Sequence, residues 1–210
     1  MGSIDTYNQF STEYDKWFDE HSNLYQSELL AIQSLLPTDE NGIEIGVGTG
    51  RFAQPLGIKF GVEPSKAMAD LARQRGIEVT EALAENLPFE ESTFGFALMV
   101  TVDCFLSEIP KAFSEVHRIL KPNGSILIGM IDKDSPLGQM YERNKAESVF
   151  YKEATFHSVA EISEMLQSAG FDNLQYQQTL TYPTNTETEP PKSGYGKGSF
   201  VVIKANKPNH

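Results

Sequence analysis

The stretch "GIEIGVGTGRF", residues Gly42 to Phe52, constrains this chain more than any other. An apolar run carrying one acid, Glu44, gives way to glycines at alternate positions, Gly46, Gly48 and Gly50. A short apolar run that ends in glycines reads as a buried strand entering a tight turn. Alternate glycines also clear side chains from a place where another body must approach the backbone. The loop is therefore a bare turn or the seat of a ligand, and the rest of the chain has to decide between them.

Strands and helices alternate after this loop. A short helix is expected from Thr49, closed by Pro55 and Gly57, and "IKFGVE" is a second strand. Ser65 can cap the helix "KAMADLARQR", which Gly76 stops. "IEVTEA" is a third strand, and "FGFALMV" is a fourth, apolar enough throughout to need cover on both faces. Ile109, Phe113, Val116 and Leu120 then share one helix face, and Pro122, Asn123 and Gly124 turn the chain into "SILIGMI", a fifth strand. Ser158 with Glu161 three residues on predicts a capping box for a helix that ends at Gly170. "FDNLQYQQTLTY" and "GSFVVIKA" are the last strands. The span from Pro183 to Lys197 between them is rich in Thr, Pro and Gly and has no helical pattern, so the two should run antiparallel. Upstream, residues 7–36 read as two helices broken near His21, Ser22 and Asn23. The second places Leu29, Ile32 and Leu36 at helical spacing and ends at Pro37. Such alternation predicts an α/β fold: a doubly wound, Rossmann-like, mostly parallel sheet of seven strands with helices on both faces and an antiparallel last strand.

Composition narrows the partners. A chain of 210 residues suits one domain with a sizeable core. Its net charge of −12 argues against a nucleic-acid backbone as partner. No apolar run is long enough to cross a bilayer, and "MGSIDTYNQF" does not resemble a signal peptide. The single cysteine, Cys104, excludes an intrachain disulfide and fits a reducing cytosol. His21, His117, His157 and His210 are not spaced as metal ligands, so no metal is expected. The composition points to a cytoplasmic protein acting on small molecules, with no membrane partner and an open oligomeric state.

A doubly wound sheet binds its ligand outside the carboxyl ends of the strands, where the strand order reverses, which is where the glycine loop should lie. The dinucleotide fingerprint G-x-G-x-x-G, counted from Gly46, puts Arg51 at its third glycine. A phosphate-binding P-loop fails because no Gly-Lys-Ser/Thr follows. The pattern E-x-G-x-G-x-G resembles instead motif I of the class I S-adenosylmethionine-dependent methyltransferases, small-molecule members of the type 11 kind. Further stretches agree. "GVEPS" places Glu63 about 20 residues past the strand 1 acid, the spacing of an acid that holds ribose hydroxyls. "ALAENLPFEESTFGFALMV" resembles the family's passage from strand 3 to strand 4, with Ala84, Glu85, Leu87, Pro88 and Phe89 as its A-E-x-L-P-F core. "SEVHRILKPNGSILI" resembles the helix, turn and strand that follow, and "YDKWF" the aromatic N-terminal segment that covers the cofactor. Two departures stand out: Leu83 occupies the place of an acid that contacts adenine in many members, and Phe94-Gly95 replaces a frequent Phe-Asp.

The resemblance implies S-adenosyl-L-methionine as cofactor and a single methyltransferase domain over 1–210. In that domain 1–37 is a helical cover, 38–131 the cofactor-binding core, 132–157 a substrate-lid insertion and 158–210 a C-terminal helix and strand pair. It also implies a cofactor set. Gly46, Gly48 and Gly50 would pack against methionine and ribose, with Glu44 near the methionine ammonium. Glu63 would hold the ribose, Ala84 and Glu85 the adenine edge, and Tyr14, Pro64 and Thr101 would complete the set. Methyl transfer from a sulfonium is an in-line displacement whose leaving group needs no proton, so alignment in a dry pocket is most of the task. Trp17, Cys104, Phe105, Tyr141, Phe150, Tyr151 and Phe156 are the expected acceptor walls, for an apolar or a cationic molecule, and Asp103 is the candidate base or amine anchor. The lone cysteine sets the chain apart from arsenite-methylating relatives, and the lack of an Asn/Asp-Pro-Pro-Tyr/Phe stretch from enzymes that methylate base amino groups. Two rivals stay open: a nicotinamide-dependent oxidoreductase, and a module that binds the cofactor without transferring its methyl.

Overall fold

A computed structural model describes residues 3–38, 41–181 and 186–209. Its centre is strand β4 (Phe94–Val100), all seven residues of which are buried. β4 pairs in parallel with β1 (Gly42–Ile45) on one side and β5 (Leu120–Ile131) on the other. β2 (Phe60–Val62) and β3 (Glu78–Thr80) extend the sheet beyond β1, also in parallel. On the far side β8 (Phe200–Asn206) lies antiparallel between β5 and β6 (Asp172–Thr179), so the last strand is the reversed one. A two-residue strand, β7 (Lys192–Ser193), adds an eighth member at the edge, in the order β3-β2-β1-β4-β5-β8-β6-β7. The sheet order reverses between β1 and β4, so their carboxyl ends open a crevice.

Alternation along β4 divides the core in two. Ala97 and Met99 join Ile43, Ile45, Ile126 and Val201 against α5 (Ile109–Ile119) and α7 (Val159–Ser168). Phe96, Leu98 and Val100 join Leu127, Phe200 and Val202 against α3 (Ser22–Leu35), with Ala72 of α4 (Lys66–Gln74) on the same side. Each large side chain buried this way contributes about 1.5–3 kcal/mol relative to exposure. Phe94 breaks the alternation and packs with Ala97, because the β4–β5 register shifts between Phe94 and Phe96. Gly95 sits at that shift, which is where the residue pair departs from the family pattern.

Local signals account for most boundaries. Ser65 accepts from the Met68 amide at the start of α4, and Ser158 and Glu161 form the reciprocal capping box at the start of α7. Leu120 is already extended (ψ 140°), so the α5 face ends one residue earlier than its spacing suggested. The turn expected at Pro122–Gly124 is an irregular start of β5, with Asn123 at φ 63°.

Four further features differ from expectation. No helix follows Thr49: the Gln54 amide reaches the Gly50 carbonyl and the Leu56 amide reaches Phe52, but Pro55 has no N–H to bridge them, so only turns form. The N-terminal region holds three helices, α1 (Ser3–Gln9), α2 (Ser11–Glu20) and α3, with a second break at Phe10. α1 is held apart by its own task, since Asn8 Oδ1 accepts from the Ala67 amide at the start of α4. The 132–157 stretch contains α6 (Pro136–Asn144), opened by Ser135, whose Oγ accepts from the Gly138 amide, with Pro136 in the first turn. Finally β7 interrupts the Thr/Pro/Gly-rich span, of which 183–185 lie, like Tyr182, outside the described residues. Among the described residues no helix is long and apolar enough to cross a membrane.

The capping box gives a direct check. Ser158→Ala removes one reciprocal pair and should lower unfolding free energy by about 1 kcal/mol in urea titration, while Ser158→Asp should restore most of it.

Candidate active site

The glycine loop leaves β1 in a sharp bend. Gly46 takes φ +72°, and a Cβ there would come within 2.4 Å of Val102 Cγ2. Gly48 takes φ +54° and donates its amide to Glu63 Oε2 at 3.0 Å. The other oxygen of Glu63 accepts from the Ser65 amide at 2.8 Å. Burial raises the Glu63 carboxyl, and the two amides offset part of that rise by favouring the charged form. Gly50 has a different reason: at φ +83° a Cβ would stand 3.3 Å from Ala72 Cα, so it permits close packing of the loop on α4.

A cavity of about 360 Å³ opens over this loop, at the carboxyl ends of β1, β2 and β4. Tyr14, Gly46, Gly48, Glu63, Pro64, Ala84, Glu85, Thr101 and Phe105 all line it. Gly50 and Glu44 do not. Glu44 faces a smaller recess between Tyr14, Gly46 and Gly48, with burial pushing its carboxyl well up and Oε2 lacking any hydrogen-bond partner. Glu85 Oε1 also accepts from the Ser107 amide and hydroxyl, at 3.0 and 2.9 Å, just ahead of α5. Leu83 is 51% exposed and lines the same cavity.

A second chamber of about 90 Å³ adjoins the first. It gathers Trp17, Tyr141, Phe150 and Tyr151 from distant parts of the chain, together with Phe18, Phe52 and Ile131. Tyr14 and Thr101 line both chambers, so they stand at the junction. Thr101 is β-branched yet sits at φ 52°, a strained backbone held by the hydrogen bond its amide donates to the Gly129 carbonyl at 2.7 Å. Among the described residues one charged side chain lines this chamber, Glu28 of α3.

Asp103 and Cys104 are not brought to either chamber. The 3₁₀ turn Asp103–Phe105 directs them to a recess of about 10 Å³ shared with Thr101, Tyr151 and Phe156. Burial raises Asp103 to about 7, against bonds from its own amide and that of Cys104. The Cys104 thiol is also pushed up by burial, so it is not a ready thiolate. Among the described residues no group of three or more His, Cys, Asp or Glu is placed to hold a metal ion.

Comparison with known proteins identifies the family. Residues 43–128 match the family model described as a methyltransferase domain. An uncharacterised protein of Methanocaldococcus jannaschii is 46% identical over 205 residues, covering 97% of this chain and 100% of the relative. A Mycobacterium tuberculosis protein, also uncharacterised, is 33% identical over 200 residues, 91% of this chain and 70% of the relative. A solved structure from Thermotoga maritima superposes with TM-score 0.94 at 48% identity, covering 97% of this chain and 99% of that one. It is described as a SAM-dependent methyltransferase, "possible histamine N-methyltransferase". The chain belongs to the class I S-adenosylmethionine-dependent methyltransferases. Its cofactor is S-adenosylmethionine, and the nicotinamide alternative falls away.

Within this methyltransferase, Arg51 has a use that the missing third glycine did not suggest. Its guanidinium binds Asp15 through Nε and Nη2, at 2.9 and 2.8 Å, and Asp19 through both Nη atoms, at 2.8 Å each. Thr49 Oγ1 and Arg75 Nη2 also donate to Asp15. The latch ties α2, and with it Tyr14 and Trp17, to the glycine loop and to the end of α4. Burial raises Asp15, but the bonds from Arg51, Arg75 and Thr49 outweigh it and bring the carboxyl down to about 2.

A depressed acid stabilises the folded state above its ordinary value of 3.8, and the contribution is lost as pH falls through about 2. Arg51→Ala should therefore move the loss of α2 docking upward into the ordinary carboxylate range. Amide exchange in α2 should quicken first near pH 4 in the variant and only below that in the parent. Equal exchange in the two proteins at every pH would remove the latch.

Proposed function

We propose that this methyltransferase acts on a small-molecule acceptor, with the cofactor in the larger chamber and the acceptor in the smaller. The supporting observation is that two adjoining pockets of different chemistry meet at Tyr14 and Thr101. The larger has backbone glycines and an amide-tethered carboxylate, and the smaller is walled by rings. An in-line transfer needs this layout, because the acceptor must approach the methyl from the side opposite the leaving sulfur.

The residues fit the cofactor. Glu63 would accept from both ribose hydroxyls while the Gly48 and Ser65 amides hold it in place. Gly46 and Gly48 would admit the methionine and ribose portions to backbone contact. Glu44, whose Oε2 has no partner, would attract the methionine ammonium at the neighbouring recess. Ala84 and Glu85 would border the adenine, with Leu83 as an apolar lip, and Pro64 and Thr101 would complete the wall. Gly50 serves the packing behind the loop. S-adenosylmethionine supplies a methyl on a sulfonium, whose departure leaves a neutral thioether, so this chain need only align, exclude water and accept a proton where the acceptor carries one. Tyr14 and Phe150 pack edge to face at 5.7 Å, which closes the junction from the helical cover. Asp103, in its own recess beside Thr101 and Tyr151, would position that wall rather than touch the acceptor. The net charge of −12 supports a small acceptor over a nucleic acid, and a cytoplasmic setting fits the lone thiol. The description of the Thermotoga relative puts amines among the acceptors to try.

Calorimetric titration tests the reading. S-adenosylmethionine and S-adenosylhomocysteine should both bind saturably, with NADH silent, and Glu63→Ala should weaken the sulfur ligands at least about tenfold through the lost charged hydrogen bonds. Unchanged binding in Glu63→Ala would remove its ribose role. Transfer of labelled methyl to a protein or RNA, with none to any small molecule, would overturn the acceptor assignment.

A further inference from the structure

Among the described residues Glu28 is the one acid set into the aromatic chamber, and it is 6% exposed. No described residue donates to its carboxyl group, and burial alone pushes it up to about 8. The titratable groups that bear on it from the elements packed around α3 are Tyr14 of α2 and Tyr141 of α6. Burial raises both phenols, so neither brings a charge to the chamber. A carboxyl buried without a partner keeps its proton, and a cation entering beside it favours the charged form. The surrounding groups suit the same guest, since ring faces attract a desolvated ammonium and add to what one carboxylate supplies.

We propose that the smaller chamber is an ammonium subsite in which Glu28 anchors the protonated head group of a primary or secondary amine and the nitrogen is the methyl acceptor. This rests on the two-chamber reading above and names its substrate class. Trp17, Phe18, Tyr141, Phe150 and Tyr151 hold the apolar body of the amine, and about 90 Å³ suits a short chain or single ring. The ammonium gives one proton to the Glu28 carboxylate, which frees the nitrogen lone pair. That pair forms the new N–C bond as the C–S bond of the cofactor breaks, and the bonding electrons stay on sulfur. The products are the methylated ammonium, S-adenosylhomocysteine and a protonated Glu28 that returns its proton to solvent. A neutral alcohol would leave Glu28 in its protonated form and gain only an uncharged hydrogen bond, and an acidic acceptor would hold it protonated and gain no ion pair.

Trp17 is the only tryptophan in the chain and stands in the chamber wall, so its fluorescence reports occupancy directly. Isobutylamine, benzylamine and phenethylamine are titrated, each beside its matching alcohol, with the protein saturated in S-adenosylhomocysteine. At least one amine should change the Trp17 signal saturably and bind about tenfold or more tightly than its alcohol. Glu28→Gln should erase that preference while calorimetric binding of S-adenosylhomocysteine stays as in the parent. Amine and alcohol binding equally, no amine binding at all, or an unchanged preference in Glu28→Gln would each overturn the subsite. The amine–alcohol comparison in the parent protein decides the matter even where the variant folds poorly. Failure of S-adenosylhomocysteine to bind the parent would strike the two-chamber reading instead, so the two failures are distinct.

Discussion

The carboxylate of Glu63, at the end of β2, ties the glycine loop to the start of α4. One oxygen holds the Gly48 amide of the loop after β1, and the other holds the Ser65 amide at the start of α4. Ser65 in turn caps α4, and its hydroxyl donates to Asn8 Oδ1 of α1. A charge 7% exposed is tolerable in this position because backbone dipoles solvate it in place of water. The same amides fix where the carboxylate points. The larger chamber therefore depends on an electrostatic constraint as much as on the void left by glycines.

The cover over that chamber is fastened differently. Asp15 draws bonds from Arg51, Arg75 and Thr49, and Arg51 also stands 5.6 Å from the centre of the Phe18 ring. Charged pairs at the rim leave the inner surface to rings, and Tyr14 packs edge to face with both Tyr7 and Phe18, each at 5.4 Å. A polar latch outside an apolar lining can release without unpacking the sheet, which suits a site that must take in two ligands and release two products.

Legibility in the sequence followed the range of the interactions. β4, the Ser65 cap and the Ser158 capping box were readable because their causes lie within a few residues. The Glu63 position was readable because strand-end spacing in a doubly wound sheet is short and regular. Arg51 read only as an absent glycine, since its partner Asp15 lies 36 residues upstream. Glu28 carried no signal of its own: on a helix an acid is ordinary, and only the folding of Tyr141 and Tyr151 over α3 makes it exceptional. α6 was passed over although Ser135-Pro136 is a good helix start, because the stretch was read for its aromatic side chains. Asp103 was singled out from its place after β4, and a 3₁₀ turn, which that place did not reveal, directs it to a separate recess.

The central claim is that the two chambers hold cofactor and acceptor on either side of Tyr14 and Thr101. A crystal structure with S-adenosylhomocysteine tests it most directly. The account predicts ribose hydroxyls on the Glu63 carboxylate, the methionine ammonium toward Glu44, and sulfur facing the junction at Tyr14 and Thr101. A ligand whose sulfur points away from that junction, or which occupies the aromatic chamber itself, would contradict it.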